Sequence, residues 1–385
     1  MENGKGNCTR ETAGKPIICK AAVCRKAGEA LIIEDIEVAP PQAWEVRIKI
    51  LCTSLCHTDV SFWKIDSGPI ANFPKIFGHE AVGIVESIGE HIEEVKEGDT
   101  VLPVFLADCG ECRDCKSPKS NVCTKFENKK HSGMPRNKGY RFKDMKGEPI
   151  HHFFYVSSFA EYTVVDITHI VKIDPRMPVD KACLLSCGVT TGIGAVWKVA
   201  QVEEGSTVAI FGLGAVGLGA VQAAKLQGAA KIIGVDLNPE KEGIDPKSCG
   251  EKKISEAIKE LTDGGADYCF ECIGSATVMQ DASESTRQGW GKTIILGAEV
   301  RGIPLSLNCL DIIQGKSVIG SIFGGIKPKS DIPVLTQKYM NEELCLDEYI
   351  THEVKLHDIN KAFEYLVQGQ SLRCIIWMDD SINHH

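Results

Sequence analysis

The chain has few aromatic residues and no long apolar run. Only 6% of its 385 residues are aromatic. No uninterrupted apolar stretch approaches the roughly 20 residues that a bilayer-spanning helix needs. Positive charge is not in excess: 43 Lys and Arg stand against 52 Asp and Glu, for a formal net charge of −9. That balance argues against a protein that tracks nucleic-acid phosphates. No internal repeat or low-complexity tract is visible. The opening residues, MENGKGNCTRETAGKP, are polar and carry no apolar core behind their charges, so no secretory signal is expected. What remains is an ordinary globular composition, 43% hydrophobic and 25% charged, in a chain long enough for two domains, each with its own core.

Cysteine is abundant. There are 17, an odd number, mostly scattered singly. A secreted disulfide scaffold usually shows an even set in a short chain. The expected setting is therefore a reducing one, the cytoplasm, with some thiolates committed to metal.

Residues 1–18 read as a polar tail. From 18 to 98 the pattern is β-rich, and residues 45–51 alternate with the period of a half-buried strand. EGDTVLPVF at 97–105 reads as a turn and a strand. Residues 107–157 lack periodicity, and a loop that long is uncommon unless something holds it. Residues 159–173 are again β-like. After Cys187 the texture changes. An apolar strand at 207–212 leads into a Gly-rich turn and an Ala-rich helix to about residue 227. A second strand is expected at 231–236, further strands at 266–273, 292–297 and 317–322, and a helix at 251–261. Strands alternating with helices imply a parallel sheet covered on both faces.

Within the irregular segment, Cys109, Cys112, Cys115 and Cys123 form C-x2-C-x2-C-x7-C. Two-residue gaps let sulfurs converge within a tight turn, and four thiolates close a tetrahedral shell around zinc. Such a site orders a loop that has little core of its own. An iron–sulfur cluster is the rival reading. A second set comprises Cys56, the Gly78-His79-Glu80 run and Cys187. Each is weak alone; together they make a Cys₂His set, which with water in the fourth position is a catalytic zinc arrangement.

Gly212-Leu213-Gly214-Ala215-Val216-Gly217 fits G-x-G-x-x-G after an apolar strand and before a helix, the context a dinucleotide loop requires. The glycines permit the turn and let a pyrophosphate approach the helix N-terminus. Asp236 ends the second strand, 19 residues after Gly217. A carboxylate there accepts from a ribose 2′-OH and repels a 2′-phosphate, favouring NAD over NADP.

SLCHTDV, FPKIFGHE, CGECRDCKSPKSNVC, LSCGVTTGIGAVW, FGLGAVGLG, IIGVDLNPEK, IFGGIKPK and SLRCIIWM are long, collinear motifs. Through them the chain, from about residue 19 to 378, resembles the zinc-dependent medium-chain alcohol dehydrogenases, in particular the plant alcohol dehydrogenase-like branch. The resemblance implies an α/β fold plus a β-rich part: a GroES-like catalytic domain at 19–190, a Rossmann NAD-binding domain at 191–326, and a return to the catalytic domain at 327–385. It implies two zinc ions per chain, NAD, a homodimer, and a small alcohol or aldehyde as substrate. Cys56, His79 and Cys187 would hold the catalytic zinc, with Glu80 beside it. Asp59 would orient His79. Thr58 would pass the substrate's hydroxyl proton outward, and Phe105 would line the pocket. Asp236 and Lys241 would meet the adenosine ribose, Ile273 the adenine, Leu296 and Phe323 the nicotinamide end, and His57 and Arg373 the pyrophosphate. Cys109, Cys112, Cys115 and Cys123 would hold the structural zinc.

Three departures stand out. Many relatives end the proton relay with a His where this chain has Ser61. Glutathione-dependent formaldehyde dehydrogenases carry an Arg where this chain has Glu127, the wrong charge for an anionic adduct. Relatives also have about ten more residues after the match to Lys241. Only twelve residues, 237–248, separate the second strand from Cys249, and they include Pro239, Gly243 and Pro246. A crossover helix and a third strand need more, so that edge strand is expected to be absent or vestigial, leaving apolar Ile232, Ile233 and Val235 at the sheet edge. The alternatives to an active dehydrogenase are a zinc-free reductase of the same fold, a catalytically impaired paralogue, and the formaldehyde enzyme. The other cysteines, and His131, His151 and His152, are expected to be background, the histidines solvated.

Overall fold

The computed structural model describes Thr12 and residues 14–68, 70–126 and 133–378. The chain divides into two compact units, one of residues 1–187 and 327–385 and one of residues 188–326.

The first unit is built on two mainly antiparallel sheets, with one parallel pair, Ile350–Lys355 beside Arg373–Trp377. One has the strand order Lys75–Ile76, Ile17–Cys24, Ile32–Val38, Phe142–Asp144, Pro149–Ile150. The other runs Ile170–Lys172, Thr100–Pro103, Glu80–Ile88, Glu45–Ser54, Arg373–Trp377, Ile350–Lys355, with Tyr162–Asp166 also paired to Glu45–Ser54. Strand Glu45–Ser54 carries the 45–51 alternation seen in the sequence, but both of its faces are largely covered. Val23, Ile36, Phe77, Phe142, Phe159 and Phe363 are fully or nearly fully buried in the core around the first sheet.

Buried charge here is paired. The Arg141 guanidinium meets the Glu45 carboxylate through Nε at 2.7 Å and Nη2 at 2.6 Å. Arg47, with none of its surface exposed, donates to Glu86 at 2.6 Å. Such fork geometry satisfies groups whose isolated burial would cost several kcal/mol. Arg47 also donates to the carbonyls of Thr12 and Lys15 at 2.8 and 2.7 Å. The polar tail is thus shorter than residues 1–18: it is tied down at Thr12, and Ile17 already pairs with Val38.

The histidine expectation fails at His152. His131 and Glu127 lie outside the described residues, and His151 is half-buried against the Tyr140 ring. His152 is 2% exposed. It packs on the Phe142 ring, and its Nε2 accepts the Arg141 backbone N–H at 3.1 Å. The segment lacks periodicity, yet it is folded onto the sheet, so its side chains enter the core.

The second unit is a parallel sheet in the order Lys231–Val235, Thr207–Phe211, Tyr268–Glu271, Lys292–Ile295, Ser317–Gly320. Helices Ala215–Leu226, Ile254–Leu261, Ala276–Ser285 and Cys309–Ile313 connect these strands. Each strand is one to four residues shorter than its apolar run, because turns begin as soon as the ladder ends. The helix expected over 251–261 begins at Ile254. In register, Phe211 lies opposite Val235 and Glu271, and Glu271 opposite Ile295. The carboxyl ends of four strands therefore reach one level, where ligands of such sheets bind.

Beyond Val235 the chain makes a single parallel bridge, Val235 to Ile244. The Ile244 N–H donates to the Gly234 carbonyl at 2.8 Å. A 3₁₀ turn at Pro246–Cys249 follows. The apolar side chains at this edge are not left open. Ile233 and Val235 pack with Ile254 and Ile258 of the next helix, and Ile232 is half-buried. The amphipathic Ile254–Leu261 helix reaches back over them.

His152 makes stability pH-dependent. Burial pushes its pKa down from 6.5 to about 3, so the unfolded state binds the extra proton across that window. The stability this provides is complete above about pH 6.5 and is lost as pH falls toward 3. Replacing it, as His152→Gln, should flatten the acid loss by about 1.4 kcal/mol per pH unit below about pH 6. Urea midpoints from pH 7 to pH 5 measure this; equal slopes in the two proteins would refute the assignment.

Candidate metal centres and nucleotide loop

Cys56 caps the N-terminus of helix His57–Trp63, and Asp59 sits in its first turn. The Asp59 carboxylate accepts the Cys56 N–H at 3.1 Å and the Gly78 N–H at 3.0 Å, and lies 3.1 Å from His79 Nδ1. One buried carboxylate thereby fixes two chain segments and one ring. Gly78 has φ +92°, and a Cβ there would meet Ser158 Oγ at 2.4 Å; only glycine lets the chain deliver His79 here. Cys187 comes from the end of the first unit.

These elements bring ligand atoms of Cys56, His79, Glu80 and Cys187 within 4.8 Å of one another, all four residues buried. His79 is 1% exposed, and its Nε2 has no hydrogen-bond partner among the described residues. A buried ring nitrogen left open, with its other nitrogen held by a carboxylate, is how a metal-binding histidine is oriented. Cys56 is held well below the usual thiol range by its hydrogen bond with the Cys187 thiol, aided by the Arg373 and His79 charges. Cys187 is pushed well up by the same pairing and by burial. Two thiols with one proton too many, beside an open imidazole, fit a divalent soft cation.

Arg373 is buried behind this cluster. Its Nε lies 3.0 and 3.2 Å from the Glu80 oxygens, and its Nη2 is 3.6 Å from Cys56 Sγ. The contacts that define its place are to Glu80 and Cys56. Burial raises the Glu80 pKa against the opposing pull of Arg373. His57 is exposed and Thr58 half-buried in the helix's first turn, and Ser61 follows half-buried. The Phe105 ring stands edge-on to His79 at 5.9 Å. Phe153 and Phe154 stand at 5.9 Å from the same ring, and Phe62 packs on Phe154 at 4.9 Å. Sequence reasoning missed Phe153 and Phe154, because they lie in a stretch without periodicity. The signal available was a His-His-Phe-Phe run.

The four-cysteine loop also closes. Ligand atoms of Cys109, Cys112, Cys115 and Cys123 lie within 4.8 Å of one another. Cys109 and Cys115 sulfurs are 3.8 Å apart, and those of Cys112 and Cys123 are 4.0 Å apart. Four sulfurs about 2.3 Å from one centre would be about 3.8 Å apart. The spacing fits a single tetrahedral ion and is too tight for a cluster of several irons. Backbone N–H groups of Cys112 and Cys115 point at Cys109 Sγ and Cys112 Sγ at 3.3 and 3.4 Å. Lys327 Nζ ties the loop down through the Cys115 and Ser117 carbonyls, both at 2.6 Å.

In the second unit, the nucleotide loop follows strand Thr207–Phe211 directly. Gly212 has φ +91°. A Cβ on Gly217 would lie 1.8 Å from the Gly212 carbonyl oxygen. Helix Ala215–Leu226 starts at once, and Val216 lies half-buried in its first turn. Asp236 Oδ2 accepts the Leu213 N–H at 2.8 Å and pairs with Lys241 Nζ at 3.1 Å, while Oδ1 accepts the Asn238 N–H at 2.9 Å. These donors outweigh burial and lower the Asp236 pKa. Ile273 is 53% exposed and touches Gly212, Leu296 is half-buried, and Phe323 is buried.

Residues 42–175 match the family model of the alcohol dehydrogenase GroES-like domain, and residues 215–339 that of the zinc-binding dehydrogenases. Alcohol dehydrogenase-like 2 of Arabidopsis thaliana is 62% identical over 379 residues, covering 96% of this chain and 98% of that protein. The chain belongs to the zinc-dependent medium-chain alcohol dehydrogenase family. Relatives from its plant branch match over nearly the whole chain: alcohol dehydrogenase 1 of Petunia hybrida is 48% identical over 96% of this chain and 99% of that one. Among solved structures, an alcohol dehydrogenase zinc-binding domain protein from Burkholderia ambifaria superposes with TM-score 0.86 at 30% identity, over 95% of this chain and all of that one. Benzyl alcohol dehydrogenase of Acinetobacter calcoaceticus superposes with TM-score 0.81 at 29% identity, over 94% of this chain and all of that one.

The two centres should respond differently to ligand loss. Cys109→Ser should lower the melting temperature and soluble yield more than turnover per folded molecule. Cys56→Ser should do the reverse, cutting turnover by about a thousandfold or more with little loss of fold. Equal effects on both readouts would overturn the division.

Proposed function

We propose that this chain is an NAD-dependent, zinc-dependent alcohol dehydrogenase, interconverting a primary or secondary alcohol with its aldehyde or ketone. The observation that carries it is the buried convergence of Cys56, His79 and Cys187 with His79 Nε2 left open. Zinc bound there supplies Lewis acidity that lowers the alcohol's pKa and polarises the carbonyl in reverse. The chain's own residues do the rest. Asp59 holds His79 in one tautomer. Thr58 takes the hydroxyl proton outward, with His57 and Ser61 nearby in sequence to pass it on. Phe105 and Phe154 bound an apolar space beside His79 and exclude water. The Gly212–Gly217 turn, with Leu213, Gly214, Ala215 and Val216, would receive the NAD pyrophosphate, a role that the family resemblance also gives to His57 and Arg373. Asp236 and Lys241 receive the adenosine ribose, Ile273 the adenine, and Leu296 and Phe323 the nicotinamide that accepts the hydride.

This reading includes two zinc ions per chain, a cytoplasmic location and a homodimer paired along the exposed edge of Ser317–Gly320. Elemental analysis giving two zincs, and sedimentation giving a dimer, would support the first and last. Intact ligands count against a zinc-free reductase, and Glu127 against glutathione-dependent formaldehyde oxidation. The purified protein with ethanol and NAD, followed by nicotinamide absorbance, should show turnover and a preference for NAD over NADP. Asp236→Gly should narrow that preference by about tenfold or more. No turnover with intact zinc would favour the impaired paralogue.

We further propose that residues 237–248 replace a complete crossover and edge strand, of which the Val235–Ile244 bridge is the remnant. The support is that bridge and the twelve-residue span with its two prolines. NAD affinity and thermal stability are then below those of full-length relatives. Inserting about ten residues of such a relative after Lys241 should raise both. A restored chain that gains neither would refute the proposal.

A further inference from the structure

Glu271 ends strand Tyr268–Glu271 with none of its surface exposed. Its side chain turns back onto its own chain. Oε1 accepts the N–H of Ile273 at 3.0 Å and of Gly274 at 2.8 Å, with the Ser275 N–H at 3.5 Å. Its main-chain carbonyl accepts from Leu296 at 2.8 Å and Gly297 at 3.0 Å. The next residue, Cys272, donates to the Phe211 carbonyl at 2.9 Å, just before the nucleotide loop. Ile273 then lies against Gly212. Gly274 has φ +90°, and a Cβ there would meet the Ala298 backbone at 2.8 Å. The turns that follow three neighbouring strands thus meet at Glu271 and Cys272, and the Glu271 side chain holds the 273–275 turn.

A buried carboxylate is costly unless its acceptors are used. Here all three donors share one oxygen, and Oε2 has no hydrogen-bond partner among the described residues. An apolar residue here would leave those N–H groups without an acceptor; the acceptor at this point sets the angle at which Ile273 leaves the strand. We propose that Glu271 is a positioning residue for the adenosine end of the dinucleotide site: its Oε1 holds the 273–275 turn in the shape that presents Ile273 beside Gly212. The proposal rests on the NAD-site reading above.

The test measures Kd for ADP-ribose and for NADH in the zinc-loaded full-length protein, by calorimetry and by NADH fluorescence. Losing an acceptor for backbone N–H groups, Glu271→Ala should weaken both ligands by the same factor, about tenfold, the usual worth of one hydrogen bond to a charged group. The KM for NAD should rise with kcat nearly unchanged. Glu271→Gln keeps an oxygen for the three donors and should bind both within about twofold of the unmutated protein. Should Glu271→Ala fail to fold, Glu271→Asp, one methylene short of the turn, is measured instead, with the same equal loss expected. Equal binding by the Ala or Asp variant, a loss confined to NADH, or a Gln variant as weak as Ala would overturn the proposal. Unmutated protein that binds neither ligand would overturn the NAD-site reading instead.

Discussion

The Asp59 carboxylate is the joint on which the metal centre depends. A single buried group accepts from Cys56 and Gly78 and holds the His79 ring. It links a helix N-terminus to the strand start at Glu80, so thiolate and imidazole meet without either segment having to be rigid alone. The arrangement leaves Nε2 open beside two thiols, a donor set that suits a divalent soft cation.

The nucleotide unit solves a different problem. Parallel strands must expose their carboxyl ends at one level before a dinucleotide can lie across them, and the register here does that. Gly212 and Gly217 allow the tightest approach, while Asp236 and Glu271 use buried carboxylates to fasten neighbouring turns to the strand ends. Both accept backbone N–H groups, yet their surroundings differ. Donors lower the Asp236 pKa, whereas burial prevails at Glu271 and raises it. Two carboxylates at strand ends thus share one chemistry, accepting backbone N–H groups, in different surroundings.

Local spacing made much of this legible. The C-x2-C-x2-C loop, the glycine motif and its downstream Asp236 need only neighbours in sequence, so residue types and short gaps carry the chemistry. The alternation of strand and helix after Cys187 likewise follows from period and composition, apart from strand ends, which turn hydrogen bonds decide. Cys56, His79 and Cys187 are far apart in the chain, and only resemblance joined them before the fold did.

What the sequence by itself determined was the four-cysteine loop, the glycine-rich turn and the alternating pattern of the parallel sheet, because each is written in contacts a few residues long. The tertiary structure decided the rest. It buried His152, which reads as a loop residue until the irregular segment is laid on a sheet. It set Arg373 against Glu80 and Cys56 from nearly 300 residues away. It gathered Phe153 and Phe154 around His79 with Phe62 packed behind them, and covered Ile233 and Val235 with a later helix. Each of these depends on the packing of segments whose sequences contain no reference to one another, and burial, charge and pKa follow from that packing.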